Sequence, residues 1–345
     1  MHIDILVHVC DNLGDMWFAT ELAIHLAHFD EDINFRFYTD DCGALEKFFS
    51  LQKINYPIFS QWLWHHHNHC ETGLFLILFR SDFDISYVES LPIGINTLWI
   101  DYLAFDPEIA MLHGQEHIHS SVGHPIIHIV NSTLSGGLLP SWIAHNPSQD
   151  EETRLIARQA WQSALPYTLD IDIELSSPIV TIFSYETQKH IQEMNRLDWL
   201  ILGFAPIASP QSFPTWSWML PYILIDQFYI LIGLSEVAIV RWEVSLVSTL
   251  QLWTPFYWDM YKGKGGWNTH EFESFLSWMS PSFDACDEDD LFQPYTQSSR
   301  VLNEQWYIGP DDIEILMTEW AKNVFRHAAK RASERSLIKT ILTFV

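Results

Sequence analysis

Ile3-Asp4-Ile5-Leu6-Val7-His8-Val9-Cys10, running into Asp11-Asn12-Leu13-Gly14-Asp15 and then Trp17–Phe29, is the stretch whose reading decides the fold. The first eight residues are a short apolar run rich in β-branched side chains, as a buried strand is. Three of the next five are short and polar, Asp11, Asn12 and Asp15, and with Gly14 they make the composition of a tight turn. Beyond them Phe18, Leu22 and Leu26, with Ala19 and Ala23, recur at helical spacing. Strand, turn and helix in that order open an α/β unit.

The same alternation continues outward. Ile33–Tyr38, Asp84–Val88, Thr97–Ile100 and Pro125–Val130 are further strand candidates. A polar helical stretch at 150–163 follows, and the pattern restarts. Ile179–Ser184, Trp199–Phe204, Val237–Val240 and Phe256–Tyr261 read as buried strands, with Gln227–Leu234 and Ser245–Leu252 as helices between them. Strands this apolar fit parallel sheets covered on both faces. The sequence therefore predicts two α/β units. Asp311–Ile341 reads as one or two closing helices; Lys322, Arg326 and Lys330 share one face, expected to be solvated.

Composition agrees with two globular domains. The chain has 345 residues, 48% of them hydrophobic, where a domain takes roughly 150. Its 18 basic residues stand against 44 acidic ones, a formal charge of −26. That deficit of cations argues against a nucleic-acid binder and suits a basic protein surface or an exposed arginine as partner. Cys10, Cys42, Cys70 and Cys286 form no CxxC pair, and the N-terminal stretch has no basic region ahead of an apolar one; a reduced, cytoplasmic protein is expected. Trp199–Ile225 carries no charge but holds Pro206, Pro210, Pro214 and Pro221. Four prolines suit a strand, a loop and a second core segment, not a membrane span.

Several constellations have chemical potential. Asp11 and Asp15 flank Gly14 after the first strand, where α/β sheets place ligands; they suit a base and its partner, and equally a turn closure and a helix cap. Arg241, Glu243 and Ser245 follow a strand and open a helix, a setting for phosphate and sugar hydroxyls or for a cap with a surface ion pair. Phe183-Ser184-Tyr185-Glu186 and Pro255–Tyr261 offer aromatic faces to a base, or to the core. His65-His66-His67-Asn68-His69-Cys70 has no second ligand cluster, and His113 and His117 lack the glutamate of HExxH, Gly114 standing there instead. No metal is expected.

In order, these motifs resemble those of the bacterial EarP family, the elongation factor P arginine rhamnosyltransferases. The family's Asp-Asn-aromatic-Gly-Asp is similar to Asp11–Asp15, and its Thr-Gly-Gly-Leu-Leu to Ser135-Gly136-Gly137-Leu138-Leu139. Its Phe-x-Tyr-Glu is similar to 183–186, its Arg-Gly-Glu-Asp-Ser to 241–245, and its Pro-Phe-Val-Trp-x-Ile-Tyr to 255–261. The resemblance implies a GT-B fold: two Rossmann-like domains, at 1–160 and 170–310, facing across a cleft, with helices at 311–345 crossing back to the first. It implies inverting, metal-free transfer of rhamnose from dTDP-β-L-rhamnose to an arginine of elongation factor P, with no cofactor. Asp11 and Asp15 would stand at the reaction centre, Asp15 as base. Tyr185, Tyr222, Arg241, Glu243, Ser245 and Tyr261 would hold the donor. Trp242, Val244, Ile225 and Glu21 stand where the family has Gly, Asp, Gln and Arg. The alternatives are a catalytically impaired GT-B relative that keeps elongation factor P contact as a binding protein, another nucleotide-sugar-dependent glycosyltransferase, or an unrelated nucleotide-dependent α/β enzyme.

Overall fold

A computed structural model describes residues 2–9, 14–30, 32–53, 58–60, 72–78, 94–118, 125–139, 151–165, 177–184, 186–194, 199–205, 210–213, 217–221, 223–241, 243–260, 267–286, 289–305 and 308–344. The elements run β1 (His2–Val7), α1 (Gly14–Ala27), β2 (Asn34–Thr39), α2 (Cys42–Gln52), β3 (Ile58–Ser60), β4 (Thr72–Leu78), β5 (Asn96–Leu103), α3 (Pro107–Ala110), β6 (Glu116–Ile118) and β7 (Pro125–Asn131). They continue with α4 (Glu151–Ala164), β8 (Ile179–Ile182), α5 (Thr187–Glu193), β9 (Leu200–Phe204), β10 (Gln211–Phe213), β11 (Ser217–Leu220), α6 (Ile225–Leu234) and β12 (Val237–Val240). The chain ends with α7 (Glu243–Gln251), β13 (Phe256–Trp258), α8 (Trp267–Asp284), α9 (Asp289–Gln305), α10 (Pro310–Leu316), α11 (Glu319–Ala332) and α12 (Leu337–Leu342). The expected strand Asp84–Val88 and the histidine run at 65–69 lie outside the described residues.

The chain divides into two units, Met1–Pro140 with Ser333–Val345, and Ser141–Ala332. These boundaries differ from those drawn at 160 and 311. Helix α4 goes with the second unit because it packs on α6: Trp161 Nε1 donates to the Gln227 carbonyl at 3.1 Å, and Gln227 Nε2 donates to the Ala164 carbonyl at 2.6 Å. The closing segment is three helices rather than one or two. Of these, α11 stays with the second unit, where Arg331 Nη1 donates to the Trp278 carbonyl at 2.8 Å. Nor is its basic face wholly solvated, since Lys322 pairs with Glu236 at 2.9 Å and Arg326 lies over the Trp253 ring.

The first unit is built on a sheet of order β3-β2-β1-β4-β5-β7-β6, parallel except where β6 meets β7. Strand β4, absent from the sequence-based expectations, lies between β1 and β5. Its Leu74–Leu78 core is a continuous apolar run, without the alternation that marks a strand with one wet face. One polar group interrupts this interior. Asp4 on β1 is fully buried and receives Arg36 Nε at 2.6 Å, Arg36 Nη2 at 3.0 Å and the Thr72 hydroxyl at 2.7 Å. Three adjacent strands are thereby tied together at one register.

Ser135-Gly136-Gly137 serves the fold. Gly137 has φ +90°, and a Cβ there would stand 2.4 Å from the Ser336 backbone nitrogen. The C-terminal segment lies against it: Leu337 N donates to the Leu138 carbonyl at 3.0 Å, the Thr340 hydroxyl to the Gly136 carbonyl at 2.7 Å, and Arg335 to the Leu134 and Ser135 carbonyls. The C-terminal helix α12 thus returns to the first unit, as the resemblance implied. Gly137→Ala is expected to weaken this docking by about 2–4 kcal/mol, joining overpacking to a left-handed backbone. Faster hydrogen exchange at the Leu337 amide would register it; unchanged protection would refute the assignment.

The second unit has a sheet of order β10-β11-β9-β8-β12-β13, parallel except for β10 against β11. Its strands β8, β9 and β12 are buried at every residue. His190 on α5 is buried as well, and neither of its ring nitrogens has a hydrogen-bond partner. Burial, and then Lys189, lowers its pKa from 6.5 to about 4. The unfolded chain therefore binds this proton more readily than the folded one. Stability of the second unit should fall as pH drops from 6.5 toward 4, by about 3 kcal/mol in total. His190→Leu should flatten that slope in hydrogen exchange of the β9 amides; an unaltered slope would assign it elsewhere. Among the described residues, no helix is long and apolar enough to cross a membrane.

Candidate functional site

In each unit the chemistry expected from the sequence falls at the carboxyl ends of parallel strands. In the first, Asp40 follows β2 and gathers the chain leaving β1: its Oδ1 accepts from Val9 N at 2.9 Å, and His8 pairs with its carboxylate. Asp15 lies in the first turn of α1, inside the helix rather than capping it, with 4% of its surface exposed. The positive end of the helix favours a carboxylate there. Asp11, its expected companion, lies outside the described residues.

Glu21 is farther along the same helix, where the resemblance has an arginine. It is 3% exposed, and its Oε1 accepts from Trp17 Nε1 at 2.9 Å, an i,i+4 pair. Burial pushes its carboxyl up to about 8, although the Trp17 bond opposes the shift. At neutral pH this side chain is mainly protonated, so an arginine's cation is exchanged for a neutral acid.

In the second unit, three neighbouring strands end together. Phe183 and Ser184 follow β8, Arg241 follows β12, and Asp259 follows β13. Arg241 lies over the Phe183 ring at 4.8 Å from its centroid, and its Nη1 donates to the Ser184 carbonyl at 3.4 Å. Its own carbonyl accepts from Trp258 Nε1 at 3.2 Å. The guanidinium is thus held by stacking and a backbone bond. Helix α7 starts two residues later: Glu243 is half-buried in its first turn and Ser245 is fully buried. Val244, where the resembled motif has an aspartate, is 6% exposed and belongs to the core. A cation beside a helix N-terminus at a sheet's carboxyl edge is suited to phosphate.

Tyr185, Tyr222 and Tyr261 lie outside the described residues. Arg241, Glu243 and Ser245 come together through the β12–α7 connection, as their sequence proximity requires. Sequence reading did not select Ser184 and Asp259 as site residues. Ser184 Oγ donates to Asp259 Oδ2 at 2.6 Å, across 75 positions of chain. Both lay inside the quoted aromatic motifs, but neither residue type advertises a partner so distant. Among the described residues, no group of three or more His, Cys, Asp or Glu could hold a metal ion.

No protein-family model and no curated protein sequence matches the chain. Among solved structures it is similar to that of EarP-mediated arginine glycosylation of translation elongation factor EF-P. The match covers 99% of this chain and 98% of that one, with TM-score 0.60 and 16% identity. MurG of Acinetobacter baumannii matches over 99% and 98% of the two chains, at TM-score 0.46 and 11% identity. The glycosyltransferase SnogD of Streptomyces nogalater does so over 99% and 98%, at 0.45 and 8%. Two parallel-rich α/β units, a C-terminal helix returned to the first, and an end-to-end likeness to the EarP structure give this chain the GT-B fold.

Proposed function

We propose that the chain is a glycosyltransferase that moves rhamnose from dTDP-β-L-rhamnose to an arginine of elongation factor P. The observation that carries this reading is the likeness to the EarP structure over 99% of the chain, with Asp15 and Arg241 at the carboxyl edges of the two sheets. The EarP structure concerns arginine glycosylation of EF-P, which supplies the acceptor in this proposal.

In the proposed reaction, Arg241 and the first-turn amides of α7 bind the donor diphosphate and stabilise the charge that grows on it. Glu243 accepts from sugar hydroxyls, with Ser245 and the three tyrosines completing the donor contacts. Free guanidinium, with a pKa above about 12, is a poor nucleophile. Asp11 and Asp15 orient it. One arginine nitrogen attacks the sugar's anomeric carbon from the face opposite the leaving group. The bond from that carbon to the diphosphate oxygen breaks, dTDP leaves with the electron pair, and Asp15 takes the nitrogen's proton. The chain's acidity attracts a cationic acceptor, and Arg241 receives the anionic donor.

Incubation with dTDP-β-L-rhamnose and unmodified elongation factor P should add one deoxyhexose to the acceptor's intact mass. Asp15→Asn should abolish the gain. Arg241→Ala should lower kcat/KM by about 10²–10³-fold, the cost of losing one transition-state donor. A second reading follows from Val244, an apolar core residue at the position of the family's aspartate: a relative that binds the donor without turnover. A donor-induced rise in melting temperature with no mass gain would favour it. Absence of both effects would remove the two readings together.

A further inference from the structure

We infer that Asp259 is a positioning residue for the donor site, holding the 183–187 turn so that the turn can hold Arg241. This rests on the donor reading of that site. Asp259 is fully buried, and its bonds described below are to protein groups. Its backbone is fixed on both sides by one amide side chain: Asn303 Nδ2 donates to the Trp258 carbonyl at 2.7 Å, and Asn303 Oδ1 accepts from Met260 N at 2.9 Å. The Asp259 nitrogen donates to the Val240 carbonyl at 2.8 Å, which ties it to the last residue of β12, next to Arg241.

From this anchored position, Asp259 Oδ2 accepts the Ser184 hydroxyl at 2.6 Å. A hydrogen bond to a buried carboxylate is among the stronger ones available. It leaves the Ser184 oxygen free to accept, and Glu186 N donates to it at 3.1 Å. The turn is closed by Thr187, whose hydroxyl donates to the Ser184 carbonyl at 2.9 Å. That same carbonyl accepts from Arg241 Nη1, and the preceding ring, Phe183, underlies the guanidinium. The order of support is therefore Asn303, Asp259, Ser184, turn, Arg241. An acceptor oxygen is required at the second step, because the Ser184 hydroxyl donates there.

The test uses the full chain with Asp259→Ala, Asp259→Asn and Ser184→Ala. Affinity for dTDP is read by calorimetry, and exchange of the Glu186 amide by mass spectrometry. Asp259→Ala should weaken dTDP about tenfold and speed Glu186 exchange about tenfold. Asn Oδ1 still accepts from the Ser184 hydroxyl, so Asp259→Asn should stay within about threefold of wild type on both readings. Ser184→Ala should match Asp259→Ala, and the double variant should be no worse than either alone. A merely structural role would lower the melting temperature of both Asp259 variants with dTDP affinity unchanged, and would overturn the inference. So would Asp259→Asn failing as Asp259→Ala does. If wild type itself binds no dTDP, the donor reading falls, and Glu186 exchange alone decides whether Asp259 holds the turn.

Discussion

Glu21→Gln is expected to make the first unit more stable than wild type at pH 8, by about 4–5 kcal/mol, and no more stable at pH 4. The folded carboxyl ionises near 8 and the unfolded one near 4.5. Between those values the native state holds a proton that the unfolded state has released. Glu21's contribution to the first unit's stability is therefore fully present below 4.5 and is lost as pH rises, at about 1.4 kcal/mol per pH unit until about 8. Glutamine keeps the acceptor for Trp17 Nε1 and has nothing to ionise. Hydrogen exchange of the β1 amides between pH 5 and 8 would measure the slope in this unit. Parallel profiles for wild type and variant would show that Glu21 ionises normally. The slope in the second unit runs the other way, because buried His190 must gain a charge on acidification, whereas buried Glu21 must gain one on alkalinisation.

Arg36→Met should cost about 3–5 kcal/mol, since it leaves Asp4 charged in the middle of the sheet. Arg36→Lys should recover little of this. Lysine cannot reproduce the pair of nearly parallel bonds from Nε to Oδ1 and Nη2 to Oδ2, nor reach Thr72 at the same time. The double variant Asp4→Leu, Arg36→Met should regain most of the loss, because an apolar pair carries no desolvation cost. Urea unfolding followed by tryptophan fluorescence would rank the three. A double variant as unstable as the single one would mean that the ion pair contributes net stability beyond avoiding an orphaned charge.

The legible part of the fold came from local chemistry. β1, β5, β7, β8, β9, β12 and β13 are short apolar runs, and most stop near the residues at which their composition changes. β4 escaped because its apolar run lacks a period and follows a histidine-rich stretch. In the candidate site, Asp15 and Arg241 stood out because they lie at strand-to-helix connections, where α/β sheets place ligands. Asp259 was not, since its role depends on a serine that only strand pairing brings near. The Gly136-Gly137 pair was legible as a motif but not as a docking seat, because its partner lies about two hundred residues downstream.

By itself, the sequence determined what most segments do alone: many of the buried strands, though not β4, the turns that interrupt them, and that two α/β units share the chain. These follow from hydrophobic period and backbone preference, which act over a few residues. Only the tertiary structure decided which strands are neighbours, and with that every long-range pairing: Asp4 with Arg36 and Thr72, Gly137 with Ser336, Ser184 with Asp259. The physical reason is that a side-chain hydrogen bond needs atoms within about 3 Å. Register and packing set that distance; position along the chain does not.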